Sequence, residues 1–483
     1  MTFRMPTTVL LCLAALAALP AAASAGSGQL AVFEDNGRLV QRGDATREAT
    51  LDELQALGVD VIKFQLPWAD IAPRTVTKPS GFDGSDPAAY PGWGPFDSLF
   101  SSARARGFRV MLAVGPPAPG WATRKRGDRS GVDRPSATEY GRFVEAAGKR
   151  YGAADLWTLW NEPSHKGFLY PQSTSRGIPY SPRLYRSLVR AGVAGLARSG
   201  NSRDRILFGE LLPIAPSRRS PRTNMRPILF LREFFCLDSR GRPYRGRAAR
   251  LRGCSGYKRI SGVNGFAYHP YTRPGGPRIA ESSSDNATIR SISRVTRVLD
   301  LARRRGRISG PRLSLWNTEF GYQSNPPDRF LGARLSRIPG FLNESEWMSY
   351  RNPRVASYSQ YTLVDDPLGT GTDASGSWQS GLRFSDGRVK SGVYDAYRLP
   401  LFVRLLGPSA VEVWGAARPG GAGAGVQVQQ RSSGGYSNLG GPITVSNARG
   451  YFRARFRIAR ASRRSYRFVS SGSTSRAARA AVR

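Results

Sequence analysis

The sequence predicts a (β/α)8 barrel followed by a small antiparallel β-sandwich, and three observations predict it. Eight short apolar runs recur along the first four-fifths of the chain, with helix-period segments between them. Two of those runs end on a Trp-Asn pair followed at once, or one residue later, by Glu. Beyond about residue 405 the texture changes to short alternating runs broken by Gly, Pro, Ser and Asn.

The runs are "QLAVFE", "VDVIKFQL", "RVMLAVG", "LWTLWNE", "ILFGELL", "GVNGFAYH", "RLSLWNTE" and "VASYSQYTLV". They are apolar almost throughout, which suits parallel strands covered on both faces better than half-exposed antiparallel ones. The intervening segments carry helix stop and start signals. "REATLDELQALG" ends on Gly58 and "GPFDSLFSSARARG" on Gly107. "SATEYGRFVEAAGKRYG" begins with Ser136, an N-cap residue, and ends on Gly152. "SPRLYRSLVRAGVAGLARSG", "ATIRSISRVTRVLDLARRRG" and "SGVYDAYRLPLFVRLLG" read the same way. A doubly wound open sheet is disfavoured, because "FEDNGRLVQRGD" after the first run lacks a Gly-rich phosphate turn. The expected division is a leader over 1–25, the barrel over 26–405, the sandwich over 406–470 and a disordered basic tail over 471–483.

The leader expectation rests on Arg4, the run "TTVLLCLAALAALP" and the small-residue site Ala23-Ser24-Ala25. It predicts export, with a secreted or wall-associated product. Cys12 would leave with it, and Cys236 and Cys254 would then pair as a disulfide closing a loop. With only two histidines, His165 and His269, and no C-x-x-C, no metal site is expected, and no cofactor either. The formal net charge is +38, almost all of it arginine. The arginines are scattered and no nucleic-acid motif accompanies them, so the partner expected for that charge is an anionic wall polymer rather than nucleic acid.

In a barrel, the C-terminal ends of all eight strands open on one mouth. Glu162 in "WNEP" and Glu319 in "WNTEFG" would therefore face each other, although far apart in sequence. Two facing carboxyls suit glycosidic bond hydrolysis, one protonating the leaving oxygen while the other attacks the sugar carbon. His269 and Tyr271 end the sixth run at the same mouth. A Tyr hydroxyl and an Asn amide donating to Glu319 would favour its charged form, and apolar Trp160 would favour neutral Glu162. Glu319 is then the expected nucleophile and Glu162 the acid/base. Asn161 is expected on a sugar hydroxyl and His165 on the loop or the sugar. Trp68, Trp93, Trp121, Trp316 and Trp378 are candidate stacking platforms. Glu210, Asp365 and Asp366 are further mouth candidates, and Asn286 and Asn343 fit the glycosylation pattern.

"WNEP", "H-x-Y" and "TEFG" at the ends of the fourth, sixth and seventh runs resemble glycoside hydrolase clan A, the retaining barrel hydrolases. "LPWADIAP" and "WNEPSHKGFLYPQ" are similar to family 39 and family 5-like proteins of actinobacteria. The resemblance implies a covalent glycosyl-enzyme, an oligo- or polysaccharide or glycoside substrate, and no cofactor. Two positions depart from the clan pattern. Lys63 stands where an Arg usually supports the nucleophile, and "YSQYTLVDDP" lacks the usual Trp, leaving Gln360 and Tyr361 as substitutes. A barrel that binds wall glycan without turnover is the alternative.

Overall fold

The computed structural model describes residues 26–124, 128, 130–368 and 377–482. The expected leader over 1–25 lies outside the described residues.

Eight parallel strands close into a barrel: β1 (Leu30–Glu34), β2 (Val61–Pro67), β3 (Arg109–Gly115), β4 (Leu156–Leu159), β5 (Arg205–Leu211), β6 (Gly265–Tyr268), β7 (Ser314–Asn317) and β8 (Val355–Tyr361). Each pairs with its sequence neighbours, and β8 closes on β1. Every expected run is a strand. The helices that follow the strands are α1 (Asp44–Ala56), α2 (Gly94–Ala105), α3 (Ala137–Arg150), α4 (Ser181–Arg198), α5 (Pro227–Phe234), α6 (Ser293–Arg304), α7 (Ile338–Tyr350) and α8 (Val393–Arg398). The Ser136 hydroxyl accepts from the Glu139 N–H and caps α3. Gly58 and Gly107 end their helices at φ 71° and 79°, a conformation costly for any side-chain-bearing residue.

Strand alternation sorts the lumen into layers. Leu30, Val32, Val61, Met111, Leu156, Leu207, Ala267, Trp316 and Ala356 form a sealed apolar floor. One step toward the mouth, the same alternation places Glu34 on β1 beside Lys63 on β2, paired directly in register. The outward faces pack on the helices. Tyr140 on α3 donates to the Val114 carbonyl at 2.7 Å, and Tyr185 on α4 to the Leu159 carbonyl at 2.9 Å, anchoring those helices to the strands.

The C-terminal unit is two antiparallel-type sheets around their own apolar core. It begins earlier than the expected 406. The segment "LPLFVRLLG" does not extend α8; Leu401–Gly407 is a strand, because Pro400 and the β-branched and aromatic residues after it favour extended backbone. The tail expected to be disordered from 471 also forms short strands, Ser473–Thr474, Ala478–Arg479 and Ala481–Val482. Ala478 is buried in the sandwich, so even this small-residue segment has apolar surface to bury. The unit is pinned to the barrel. Arg418 pairs with Glu346, Tyr451 donates to Glu346 at 2.7 Å, and Trp347 packs on Phe402 with ring centres 4.5 Å apart.

No helix among the described residues is long and apolar enough to cross a membrane. Cys236 and Cys254 form a disulfide. Asn286 and Asn343 are both buried, with Asn343 donating to the Ala396 carbonyl, so neither side chain is presented for glycosylation.

Candidate active site

The chain leaves β4 through two left-handed residues, Trp160 at φ 69° and Glu162 at φ 37°. Such conformations are strained for residues with side chains and cluster at functional sites. Trp160 points outward, packing edge-on against Tyr140, and donates its indole N–H to the Phe168 carbonyl. Reversing the chain between these residues turns Glu162 over the mouth.

A second distortion lies in β5. Alternation puts Leu207 in the floor and would send Glu210 outward. The pairing of β5 with β6 shifts between Gly209 and Leu211, and Glu210 adopts φ 49°. This bulge turns Glu210 into the lumen. Gly209 permits it, since a Cβ there would lie 2.3 Å from the Ala267 carbonyl oxygen.

Four carboxyls and two cations thus meet above the apolar floor. Lys63, with no exposure, bridges Glu34 at 2.9 Å and Glu210 at 2.8 Å. Gln65 donates to the other Glu34 oxygen at 3.0 Å. His269, also fully buried, meets Glu210 through Nε2 and Glu162 through Nδ1, the latter at 3.0 Å. The same Nδ1 is 3.6 Å from Glu319 Oε2. Tyr271 donates to Glu319 Oε1 at 2.8 Å. Glu162 and Glu319 offer carboxylate oxygens that lie, with a His269 nitrogen, within 4.8 Å of one another. Their side chains keep 16% and 8% exposure, so both reach the mouth.

The charges of this cluster decide its protonation. Burial opposes a charged His269, but Glu319, Glu210 and Glu162 outweigh it and push the imidazole up to about 10. Burial would raise Glu210, yet Lys63 and His269 hold it well below the ordinary carboxylate range. The Lys63 ammonium is raised in turn by Glu210 and Glu34 despite its burial. Glu319 goes the other way. Burial, reinforced by Glu34 and Glu162, pushes it up to about 7 against the pull of His269 and Lys63. This corrects the expectation that its surroundings would favour the charged form, because burial outweighs the neighbouring His269 and Lys63 cations. Among the described residues no Asn side chain donates to Glu319 either; both amide atoms of Asn317 are buried and unpartnered.

Glu162, His269 and Glu319 have the ligand types and spacing to surround a small cation. A cation there would have to displace the proton that Glu319, Glu210 and Glu162 favour on His269.

The expected site residues divide sharply. Glu162, Glu319, His269 and Tyr271 converge. Asn161 lies next to Glu162 with its Oδ1 buried and unpartnered. His165 is half-buried on the following loop, its backbone N–H donating to the Glu162 carbonyl and its Nδ1 accepting from the Gly167 N–H. Lys63 is sealed beneath the mouth and cannot touch substrate. Gln360 is 1% exposed and spends its amide N–H groups on the Tyr361, Thr362 and Ser380 carbonyls. Trp68 stacks on Phe143 in the outer helical layer, with Trp93 and Trp121 in the same aromatic cluster. Trp316 belongs to the lumen floor. Asp365 is buried against Lys390 at 2.7 Å, and Asp366 accepts from the Trp378 backbone N–H.

Trp378 is the candidate tryptophan that lies against a mouth residue. It is 38% exposed, stacks on Tyr271 at 5.9 Å and meets Tyr361 edge-on at 5.4 Å. It stands on the loop after β8, beyond the strand end itself. Glu34 was not singled out from sequence; the signal was available, as "QLAVFE" also ends a barrel strand on Glu.

No family model matches the chain, and no curated protein matches it in sequence. Among solved structures it is similar to the family 1 β-glucosidase from Thermotoga maritima, at 12% identity and TM-score 0.45 over 76% of this chain and 95% of that one. It is similar to GH5_18 from Bifidobacterium longum subsp. infantis, at 12% identity and TM-score 0.49 over 78% of each chain. It is also similar to GH5_18 from Streptomyces cattleya, solved in complex with GlcNAc, at 16% identity and TM-score 0.48 over 78% and 80%.

Proposed function

We propose that this protein is a secreted retaining glycoside hydrolase acting on O-glycosidic, β-configured bonds of a glycan or glycoside. The observation that carries the reading is the pair of mouth carboxyls, Glu162 and Glu319, with oxygens no more than 4.8 Å apart. Retaining hydrolases hold their two carboxyl groups about 5–5.5 Å apart, whereas inverting ones leave roughly 6.5–9.5 Å for a water.

Glu319 is the nucleophile. Tyr271 occupies its Oε1 and leaves Oε2 to attack the anomeric carbon. As the C–O bond breaks, Glu162 gives its proton to the leaving oxygen. Glu162 then takes a proton from water, whose oxygen attacks the same carbon and releases Glu319. Anomeric configuration is inverted twice and so retained. His269 lies between the two carboxyls, its protonated form favoured by Glu319 and Glu210 against its burial, and offsets negative charge as it moves from one to the other. Asn161 is placed for a sugar hydroxyl, and Trp378 with Tyr271 for the apolar sugar face.

The test is hydrolysis of a panel of aryl and natural glycosides with the anomer of the first product read by NMR. Retention with at least a thousandfold loss of turnover in Glu319→Gln is expected. A first-formed product of opposite configuration overturns the mechanism. If no glycoside is cleaved while wild type, Glu162→Gln and Glu319→Gln bind sugar alike, the protein is a glycan-binding barrel instead.

A further inference from the structure

Beside the mouth lies a cavity of about 480 Å³ that does not include the carboxylate cluster. Its size is within the range of small-ligand pockets. One wall is the loop after β5, from Pro216 to Arg226, continuing into the first turn of α5 at Leu229. The opposite wall holds Asp238, Ser239, Tyr244 and Arg252, all within the loop closed by the Cys236–Cys254 disulfide.

The cavity is tied to the catalytic rim. Met225 donates its N–H to the Ser164 carbonyl at 2.9 Å, and Lys166 donates its N–H to Asn224 Oδ1 at 3.0 Å. Ser164 and Lys166 follow Glu162 by two and four positions. Whatever fills the cavity therefore lies against the same loop that carries Glu162.

Its charge is unbalanced. Five arginines line it, Arg218, Arg219, Arg226, Arg232 and Arg252, with three carboxylates. Each carboxylate already has a cation: Glu233 pairs with Arg252 at 3.0 Å, Asp285 with Arg232 at 3.0 Å and Asp238 with Arg242 at 3.0 Å. Arg218, Arg219 and Arg226 have no carboxylate partner among the described residues. Arg226 occupies the N-cap position of α5 without a side-chain cap hydrogen bond. Arg226 donates its Nε–H to the Ala215 carbonyl at 3.1 Å and keeps its terminal nitrogens, so three guanidiniums without a carboxylate partner line one concave site suited to an oxyanion.

We propose that this cavity is an anion subsite, and that the glycan taken by the protein carries a carboxylate or phosphate on a residue near the scissile bond. The inference rests on the hydrolase reading for its purpose and on the cavity alone for its binding chemistry. The disulfide holds one wall in place before the ligand arrives, which lowers the ordering cost of binding. It also gives a local use to a basicity that scattered surface arginines leave general.

The experiment is calorimetric titration of the full chain with three probes of equal length. These are an oligogalacturonate, its carboxyl-reduced neutral counterpart, and a phosphorylated neutral oligosaccharide. Wild type is expected to bind at least one acidic probe about tenfold or more tighter than the neutral one. Arg218→Ala/Arg219→Ala, both exposed, should lose that preference, and the matched pair Arg457→Ala/Arg463→Ala on the C-terminal unit should keep it. The tighter acidic probe identifies the group. Equal affinity for acidic and neutral probes overturns the proposal, as does an equal loss in both double variants, which would mark general charge attraction. Selective acidic binding in a protein that cleaves no glycoside would leave the subsite standing and remove the hydrolase reading.

Discussion

The Lys63 ammonium stands 2.8 Å from the Glu210 carboxylate, and neither side chain has any exposure. Two sealed charges persist together because each removes the other's desolvation cost, and Glu34 and His269 extend the pair at either end. Removing one member leaves the other uncompensated. Glu210→Gln is expected to lower unfolding stability by about 3 kcal/mol. It should also bring the His269 titration, followed by imidazole NMR, down from about 10. An unmoved His269 would mean that Glu319 and Glu162 suffice to hold it charged.

Lys63→Arg tests one of the two departures from the pattern that the sequence resembles. Lys63 is fully enclosed, so a larger planar group must displace its neighbours. A loss of about 1–3 kcal/mol in denaturant unfolding is expected, without gain in activity. If the variant were instead more active, the smaller cation would be a catalytic weakness rather than a fit to a bulged β5.

The pH dependence of kcat/KM follows from Glu319. As nucleophile it must be ionised, and its carboxyl is pushed up to about 7, chiefly by burial. The acid limb of the profile should therefore fall near pH 7 rather than near the ordinary carboxylate value of 4.5. A limb close to 4.5 would show that the site is wetter or more cationic than this geometry allows.

The same shift has a stability consequence of definite sign. A carboxyl raised in the folded state binds protons more tightly there than in the unfolded chain. Its contribution is complete below 4.5 and is lost as pH rises through about 7. Glu319→Gln removes that penalty. The variant should match wild type near pH 4 and exceed it at pH 8 by about 2–3 kcal/mol. Thermal unfolding at the two pH values reads this directly.

The strands and the carboxyl pair were legible because both follow local rules. A buried parallel strand needs an apolar run, and a residue at its C-terminal end must face the mouth. The helices after β5 and β7 were not located, since Pro227–Phe234 is short and apolar and Ile338–Tyr350 buries polar as well as apolar side chains. The inner charge layer was legible only in part. Glu210 lies in the lumen through a bulge at Gly209, which alternation alone does not foretell. The tryptophans were least legible. An aromatic residue suits a sugar face and a helix interface equally well, and only the packing separates Trp378 from Trp68.

That separation yields contrasting substitutions. Trp378 is 38% exposed and rests on Tyr271, whose hydroxyl holds Glu319. Trp68 has no exposure and stacks on Phe143 at 5.6 Å, in the layer outside the barrel. Trp378→Ala should leave unfolding stability within about 1 kcal/mol and raise KM about tenfold, because sugar loses its platform while the core is untouched. Trp68→Ala should cost about 3–5 kcal/mol in stability and leave KM of the folded fraction unchanged. Tyr271→Phe keeps the stacking surface and removes the donor to Glu319, so kcat should fall by about tenfold or more while KM stays close to wild type. Steady-state kinetics paired with denaturant unfolding on the three variants distinguishes the roles. Were Trp68→Ala to raise KM and Trp378→Ala to unfold the protein, the mouth would have been placed on the wrong set of aromatics.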